Sequence, residues 1–403
     1  MIGYWVQNGE TFKDKPIKDS LSKIFKNDGS CTMLSYTFFS QLRSKANNLD
    51  TLVNYIESTL EKWEGREPCS ICGNPNGNKL KGWMYPFVIA KEKFPNLHPN
   101  GKVDSLHICR ECAKKSVMAY GRVRFNGQRS GYLSMVVFFS TTAEKLMEFY
   151  TMEQESVVPD YYSNWGDKSD IIYHPYELLA YLLYKIASKQ RSHKVVDISL
   201  GAMVFGLTTG SKKIYDTADI VDNLNPIVNA IAEFSNNYNF ELLFRRLKED
   251  SNDVDPGVSL KRNIFFKTII KERKVGWHTL EDILFYNVSK DRNIPFIKPF
   301  LLTLMSELRL NEKEIFEQVS SIGYSIGKSL LDLKGKDKSK RDIYELRRKR
   351  RLEEFLDSIN LIQIEVERSI DDRPFKENPE MFNKLKVFFL IGMSNAIFSK
   401  GDN

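Results

Sequence analysis

The sequence lacks most of the residue patterns that accompany catalysis. It has five histidines in 403 residues, and none of them lies in an H-E-x-x-H pattern. There is no G-x-G-x-x-G, and Gly327-Lys328-Ser329 is not a phosphate loop because Ile322 stands where that motif needs glycine. No nucleophile elbow is present, and no two carboxylates are marked as a catalytic pair. These absences favour a binding protein over an enzyme.

Long hydrophobic runs are also missing. No apolar stretch approaches the roughly 20 residues that span a bilayer, and residues 1–5 do not resemble a signal peptide. The composition, with 42% hydrophobic and 28% charged residues, is ordinary for a globular chain with a sizeable core. We therefore expect a cytoplasmic protein with no membrane partner, in a reducing compartment where thiols stay reduced.

The chain has only five cysteines, and four of them form two C-x-x-C knuckles. Each knuckle places two sulfurs on one metal, and two knuckles together supply the four thiolates that Zn²⁺ prefers in closed, tetrahedral, structural sites. Such a site has no open position for a catalytic water. We predict a structural Zn²⁺ held by Cys69, Cys72, Cys109 and Cys112.

Other chemistry is open to the same cysteines. A redox dithiol, an iron–sulfur cluster and a pair of disulfides are the alternatives. The gap from Gly73 to Ile108 is longer than the usual ribbon spacing of about 15–20 residues, so a folded insertion with short strands is expected there. His98 and His107 lie in the gap and are expected not to bind the metal, and Cys31 is expected to be a small buried residue.

Hydrophobic spacing predicts an α+β fold that is mostly helical. The N-terminal α/β part comprises a helical segment, residues 1–65, and a four-cysteine zinc module with a basic hairpin, residues 66–135. A mixed and then helical middle domain covers residues 136–290. A buried strand at Leu133–Phe139 spans its start, and its predicted helices lie near 226–235, 239–249, 259–274 and 278–288. An antiparallel helical bundle, residues 291–403, is expected at the C-terminus.

A basic hairpin is predicted directly after the second knuckle. Its turn is placed at Asn126-Gly127, because both central residues of a type I′ turn need positive φ. Arginine, asparagine and glutamine side chains can contact base edges, so we predict nucleic-acid binding by Arg122, Arg124, Asn126, Gln128 and Arg129. A solubilising surface hairpin is the alternative. A second basic turn carries Lys212 and Lys213, which are predicted to bind nucleic acid as well.

The positive charge of the chain is concentrated in one stretch. Residues 334–351 hold ten lysines and arginines against three acidic residues, a net of +7 that equals the net charge of the whole chain. A concentrated patch is typical of a phosphate-backbone partner, and a solvated helix face is the alternative. Some of its side chains should cover apolar neighbours while others reach a ligand. The predicted nucleic-acid contacts are Arg347, Arg348, Lys349, Arg350 and Arg351.

The knuckles and the C-terminal region together resemble a known family. The supporting residues are the four knuckle cysteines, the stretch Gly323–Leu331 (GYSIGKSLL), the Lys-rich linker after it, and Tyr344-Glu-Leu-Arg-Arg in a helix predicted from about Asp342 past Ile359. They resemble the CXXC-CXXC family of CRISPR-associated large subunits from type I (I-A/I-B-like) Cascade surveillance complexes. The resemblance covers about half of the chain.

The resemblance implies a role and partners. Such a subunit recognises the protospacer-adjacent motif in target double-stranded DNA, stabilises the R-loop and helps recruit a helicase–nuclease. Its partners are CRISPR RNA and the other Cascade subunits, and its helical C-terminus is similar to the small subunit along the displaced strand. The alternatives are a stand-alone zinc-ribbon DNA-binding or transcription factor, a zinc-supported nuclease and a purely structural scaffold.

Overall fold

The protein is described here by a computed structural model that covers nine ranges of the chain: residues 1–22, 48–85, 106–127, 132–155, 174–190, 199–208, 214–247, 260–310 and 312–398. Within these ranges helices dominate and the paired strands are antiparallel, which confirms the mostly helical α+β class. The chain folds into two compact units. Unit one is Met1–Leu182 with His193–Asn225, and unit two is Leu183–Ser192 with Pro226–Asn403. The predicted four-part division does not coincide with these two units.

Unit one combines a sheet with short helices. Its strands are β1 (Asn78–Lys79), β2 (His107–Ile108), β3 (Arg124–Gly127), β4 (Tyr132–Ser140), β5 (Leu200–Thr208) and β6 (Ile214–Val221). Its helices are α1 (Ile2–Glu10), α2 (Ile17–Leu21), α3 (Leu49–Glu61), α4 (Arg110–Met118), α5 (Ala143–Glu155) and the first half of α6 (Pro175–Gln190). Strands β3 to β6 form one four-stranded meander in chain order, and β1 pairs with β2 separately.

Strand β4 lies within this sheet. Its residues 134–140 are all buried, which confirms the strand predicted from the apolar run Leu133–Phe139. Helix α1 packs against it: Asn8 donates a side-chain hydrogen bond to the carbonyl of Phe138 at 2.8 Å. Trp5 donates its indole N–H to the carbonyl of Ser116 at 2.8 Å, which fixes α4 beside α1. The helix that carries the second cysteine knuckle is thereby tied to the core of unit one.

The hairpin β3–β4 is present, but its turn is not where the sequence indicated. Arg124 pairs with Val136 and Gly127 pairs with Leu133, so Asn126 and Gly127 both belong to β3. The prediction of a hairpin is confirmed, and the prediction of a type I′ turn at Asn126-Gly127 is wrong. The physical reason is the register of β4 in the sheet. A shift of β4 by one residue would move all of its buried side chains to the other face of the sheet, and the cost of that shift outweighs the local preference of Asn126-Gly127 for a turn.

Unit two is helical throughout its described residues. After the second half of α6 it contains α7 (Asn225–Asn237), α8 (Phe240–Arg246), α9 (Leu260–Ile270), α10 (Trp277–Ser289), α11 (Ile297–Glu307), α12 (Lys313–Arg348), α13 (Leu352–Val366), α14 (Arg373–Glu377) and α15 (Phe382–Phe398). The predicted helices near 226–235, 239–249, 259–274 and 278–288 correspond to α7 to α10. Their apolar spacing is the signal that located them.

Helix α12 bends sharply at Gly335. This residue has φ 76° and ψ 173°, a combination that is open almost only to glycine. The Lys-rich segment around it was expected to be a linker, yet it is helical on both sides of the bend. Lysine and arginine are good helix formers, which explains the difference. The helix predicted from Asp342 past Ile359 is instead interrupted after Arg348, and α13 begins at Leu352.

The first half of α12 runs alongside α15 in the same direction. Phe316 stacks on Phe388 with ring centroids 4.6 Å apart, and further along both helices Gly327 lies against the backbone of Met393. Gly323 also faces the α15 backbone, and a Cβ at Gly323 or Gly327 would clash with that backbone, so both glycines permit the close approach of the two helices. The predicted antiparallel packing is wrong for this pair. The first half of α12 and α15 can be parallel because the second half of α12, α13 and α14 lie between them in sequence.

The chain reverses direction after α13. Glu365, in the last turn of α13, pairs with Lys334 at 2.8 Å, whereas Asp371, beyond the end of α13, accepts a hydrogen bond from Gln318, near the start of α12, at 3.5 Å. The segment after α13 therefore runs back along the first half of α12.

The segment Pro379–Phe398, which includes α15, has the length and mean hydropathy (1.2) of a membrane-spanning helix. However, 83% of its apolar window is buried inside the protein. A core helix passes the same test, and the contacts of α15 with α12 are those of a core helix.

Candidate metal centre and candidate nucleic-acid interface

The four knuckle cysteines come together in unit one. The sulfur atoms of Cys69, Cys72, Cys109 and Cys112 all lie within 4.8 Å of one another. The sulfurs of Cys72 and Cys109 are 3.6 Å apart, and the four cysteines are free thiols. A tetrahedron with Zn–S bonds of about 2.3 Å has edges of about 3.8 Å, whereas a disulfide bond is about 2.05 Å long. The cluster therefore has the dimensions to hold one metal ion.

A tight turn positions the first knuckle. The amide of Gly73 donates to the carbonyl of Cys69 at 2.9 Å, and the amide of Cys69 donates to the carbonyl of Asn74 at 2.7 Å. Gly73 has φ 75°, in the left-handed region that favours glycine, so the sequence places a glycine where the turn needs one. The turn brings both sulfurs of Cys69-Ser-Ile-Cys72 to the same side.

The small ribbon β1–β2 joins the two knuckles across the long gap in sequence. Asn78 pairs with Ile108, and the amide of Ser70 donates to the carbonyl of His107 at 2.9 Å. Trp63, just after α3, donates its indole N–H to the carbonyl of Ile108 at 2.8 Å. These short strands confirm the expectation for this segment, and they place the second knuckle beside the first.

The second knuckle lies at the N-terminus of helix α4. Cys109 precedes the helix, Cys112 is in its first turn, and no side chain caps this end. The positive end of a helix dipole favours thiolates, so this position promotes metal binding. This helix was not predicted from the sequence. The signal that would have located it is the spacing of the buried residues after the second knuckle, which are Ala113, Val117 and Met118.

The pKa values of the thiols follow from their surroundings. Burial raises the pKa of Cys109 and of Cys112, and the neighbouring sulfurs raise that of Cys112 further. Burial also acts to raise the pKa of Cys69, but backbone N–H groups of Cys109, Cys72 and Ile71 donate to its sulfur and bring the pKa down to about 7. The site thus has one thiol that ionises readily and two that hold their protons until a metal displaces them.

The other candidate ligands are accounted for as follows. His107 lies in β2 and is not among the four grouped ligands, in agreement with the expectation that it does not bind the metal. His98 and Cys31 lie outside the described residues.

Two arginines of the predicted basic hairpin are buried. Arg122 lies between the rings of Phe12 and Tyr150, 4.2 and 4.1 Å from their centroids, and donates its Nε–H to Thr11 Oγ1 at 2.8 Å. Its side chain is only 6% exposed, and that of Arg124 only 9%. Arg122 and Arg124 were predicted to bind nucleic acid, but both side chains are buried in unit one. Burial argues against base contact from these two positions.

The remaining predicted contacts in unit one are Asn126, Gln128, Arg129, Lys212 and Lys213. Asn126 lies in β3 by its backbone. The side chain of Asn126 and the residues Gln128, Arg129, Lys212 and Lys213 lie outside the part of the chain that the structure describes. Their nucleic-acid contacts stay predictions.

Several cations of the basic stretch are paired within unit two. Lys334 pairs with Asp342 and Glu365, and Lys340 pairs with Asp291 at 2.6 Å. These pairs neutralise part of the local charge. The formal excess read from the sequence therefore overstates the charge that is free to meet a ligand.

The arginines at the end of α12 divide into two kinds. Arg347 pairs with Asp282 at 2.8 Å and lies over the ring of Phe285, 4.0 Å from its centroid. Arg348 is 74% exposed and has only a surface pair with Glu345. Three further cations follow, of which Lys349 is half-buried and Arg350 and Arg351 are exposed. The prediction that some cover apolar neighbours is confirmed by Arg347.

A pocket of about 330 Å³ opens where α10 begins and α12 ends. It is lined by His278, Glu281, Tyr344, Arg347, Arg348 and Arg350. Lys386 of α15 is buried beside it and lies 3.1 Å from Glu281. His278, Glu281 and Lys386 were not predicted from the sequence, because His278 and Glu281 lie 66 to 72 residues before Arg347 and Arg350, Lys386 lies 39 residues after Arg347, and no local motif connects them.

The chain was compared with known proteins. No protein-family model matches it, and no curated protein matches it. The resemblance to CRISPR-associated large subunits therefore stays a prediction, based on the cysteine spacing and the basic C-terminal region.

Proposed function

We propose that this protein binds nucleic acid without catalysing a reaction on it. The observation that carries the proposal is the group of exposed arginines, Arg348, Arg350 and Arg351, at the end of α12 beside an open pocket. Arginine pairs with phosphate through two parallel hydrogen bonds, and clustered arginines are the usual means of holding a phosphate backbone. The neighbouring Arg347 is held in place by Asp282, so part of this surface is fixed before a ligand arrives.

The metal in this proposal is zinc. Four thiolates with tetrahedral dimensions suit Zn²⁺, and a site with four protein ligands leaves no position for a reacting water. Zinc would link the turn around Cys69 to the start of α4 and so fix the base of the β3–β4 hairpin. Its role is structural.

At the finer level we propose a large subunit of a type I CRISPR RNA-guided surveillance (Cascade) complex. The spacing of the two knuckles and the basic helical C-terminal region support this assignment. In such a complex RNA–DNA pairing reads the sequence, while the protein reads a short duplex motif and holds backbones by charge. Because Arg122 and Arg124 pack in the core, the candidate motif-reading residues are Gln128 and Arg129. The expected partners are CRISPR RNA, target duplex DNA, further subunits and a helicase–nuclease.

A stand-alone zinc DNA-binding or transcription factor is the second candidate. One observation favours it: this chain alone supplies all four metal ligands and the exposed arginines. A factor of this kind would bind duplex DNA in the absence of any RNA.

The test is to purify the protein from its own host and to sequence the nucleic acid that accompanies it. Short RNAs with constant ends and variable middles would support the surveillance complex. Zinc-loaded protein that carries no RNA but binds duplex DNA would favour the stand-alone factor. Failure to bind RNA or DNA at low salt would overturn both. Cleavage of nucleic acid with added Mg²⁺ or Mn²⁺ would overturn the non-catalytic assignment.

A further inference from the structure

We propose that the pocket between the start of α10 and the end of α12 binds a phosphate group, and that Arg348 and Arg350 are its principal donors. The inference depends on the proposed function only for the source of the phosphate, since a free nucleotide and a nucleic-acid strand present the same group. The pocket joins residues that are distant in sequence, and none of its lining residues except the arginines belongs to the predicted interface.

One wall of the pocket is the beginning of helix α10. His278 is the second residue of this helix, and Gly276 at its N-cap position supplies no side chain to bond the free amide groups. The N-terminus of a helix carries about half a positive charge and favours anions. The helix end alone would not define a site, but here it meets three arginines in a concave space.

The opposite wall consists of the arginines at the end of α12. Arg347 is held by Asp282 and by the ring of Phe285, so it gives the wall a fixed cation. The pair of Arg348 with Glu345 lies at the surface, where ion pairs contribute little to stability, so a phosphate can replace Glu345. Arg350 is exposed and has no ion pair among the interactions of the described residues.

The acidic residue of the pocket does not prevent anion binding. Glu281 would repel a phosphate if its charge were free, but the ammonium of Lys386 lies 3.1 Å from its carboxylate and is itself almost fully buried. Because this pair and the Arg347–Asp282 pair are each neutral as a unit, the net charge of the pocket is set by Arg348 and Arg350. Tyr344 and His278 add side chains that can donate neutral hydrogen bonds.

The size of the pocket limits what it can bind. At about 330 Å³ it falls at the small end of the roughly 300–1,000 Å³ that small-molecule sites occupy. This space suits one phosphate with its attached sugar or base and excludes a rigid duplex. We therefore expect the pocket to take a phosphate from a single strand or from a mononucleotide.

The test measures binding to the full-length, metal-loaded protein by titration calorimetry. The probes are inorganic phosphate, adenosine 5′-monophosphate and a ten-nucleotide oligothymidylate. The variants are Arg348→Gln combined with Arg350→Gln, and Arg341→Gln as matched control. Arg341 is an exposed arginine of the same basic stretch that does not line the pocket. Unfolding curves confirm that every variant folds.

We expect the double variant to bind the probes at least about 10-fold more weakly, since it loses the charge-assisted hydrogen bonds of both arginines to phosphate. The control should stay within about twofold of the wild type. Binding of the mononucleotide as tight as that of the oligonucleotide identifies a nucleotide site, and binding of the oligonucleotide alone identifies a strand.

Three results overturn the inference. The first is the absence of binding of every probe to the wild type, and the second is an equal loss of affinity in the double variant and the control. The third is equal affinity of the oligonucleotide for the wild type and the double variant, in which case the pocket is wrong while nucleic-acid binding stands. If phosphate binds in the pocket but no nucleic acid binds, the pocket stands and the proposed function fails.

Discussion

Lys386 and Glu281 form an ion pair in the interior of unit two, with the ammonium nitrogen 3.1 Å from the carboxylate and side-chain exposures of 2% and 9%. The same ammonium donates to the backbone carbonyls of Arg347 and Lys349 at 3.3 Å. Lys386 thus connects α15, α10 and the end of α12. A buried pair of this kind adds little net stability, but losing one partner leaves an uncompensated charge inside.

We expect Lys386→Met to destabilise the protein by about 3–5 kcal/mol, because it strands the Glu281 carboxylate in the core. Urea unfolding measures the loss. Adding Glu281→Gln should restore much of it. Lys384→Met is the matched control on the same helix: its pair with Glu312 is about one-third exposed, so we expect a change of about 0–1 kcal/mol. Equal losses at positions 384 and 386 would contradict the account.

Metal content tests the four-cysteine site. The wild type should carry one zinc per chain, and Cys109→Ser or Cys112→Ser should remove it. Structural zinc contributes about 10 kcal/mol or more in small peptides, so the unfolding midpoint should fall by on the order of 10 °C. Elemental analysis and thermal unfolding are the measurements. Cys31→Ser, which changes the cysteine outside both knuckles, should keep the metal. A wild type without metal, or loss of metal in Cys31→Ser, would refute the assignment.

Zinc affinity should fall as the pH falls. Burial raises the pKa of Cys109 and Cys112, so both carry protons at neutral pH in the metal-free protein, and Zn²⁺ must displace them. Stability from the metal is therefore present at high pH and is lost on acidification. Calorimetry in buffers of different ionisation enthalpy should show about two or more protons released per zinc. Metal uptake without proton release would show that the thiols are already ionised.

The exposed arginines should contribute charge rather than sequence selectivity. Changing Arg348, Arg350 and Arg351 together to Gln should weaken binding to every DNA sequence by a similar factor. Each phosphate contact adds about 0.7 for a single strand, or about 0.9 for a duplex, to the slope of log affinity against log salt, so the slope should drop by about 2–3. Fluorescence anisotropy at several salt concentrations measures both. Arg373→Gln serves as control, since Arg373 is exposed but paired with Asp371. A loss confined to one DNA sequence would contradict the prediction.

Arg122 should behave as a core residue. Arg122→Ala removes its stacking on Phe12 and Tyr150 and its bond to Thr11, and we expect a loss of about 2–4 kcal/mol in unfolding free energy. Gln128→Ala with Arg129→Ala should instead lower affinity for motif-bearing duplex at unchanged stability. Unfolding curves and duplex binding separate the two roles. If Arg122→Ala kept its unfolding free energy but bound DNA more weakly, Arg122 would be part of the nucleic-acid interface.

The features that the sequence made predictable are local ones. The metal site was predictable because C-x-x-C spacing places two sulfurs on one metal, and β4 was predictable from an unbroken apolar run. The helices from α7 to α10 follow from apolar spacing, because their buried faces repeat at the helical period.

The features that could not be predicted depend on distant partners. Asn126-Gly127 favours a turn, but the pairing of β3 with β4 decides the register. Arg122 looks like a surface cation until Phe12 and Tyr150 enclose it. The pocket combines His278 with Arg350, and nothing near either residue in sequence indicates the other.

The bend at Gly335 also determines where the positive charge is displayed. A straight helix of 36 residues would be about 54 Å long and would carry its last arginines far beyond α10. The bend returns them, so that Lys340 reaches Asp291 and Arg347 reaches Asp282. A residue with a Cβ at this joint has open space around it but an unfavourable φ. The backbone conformation of this one glycine therefore sets the position of the arginines at the end of α12.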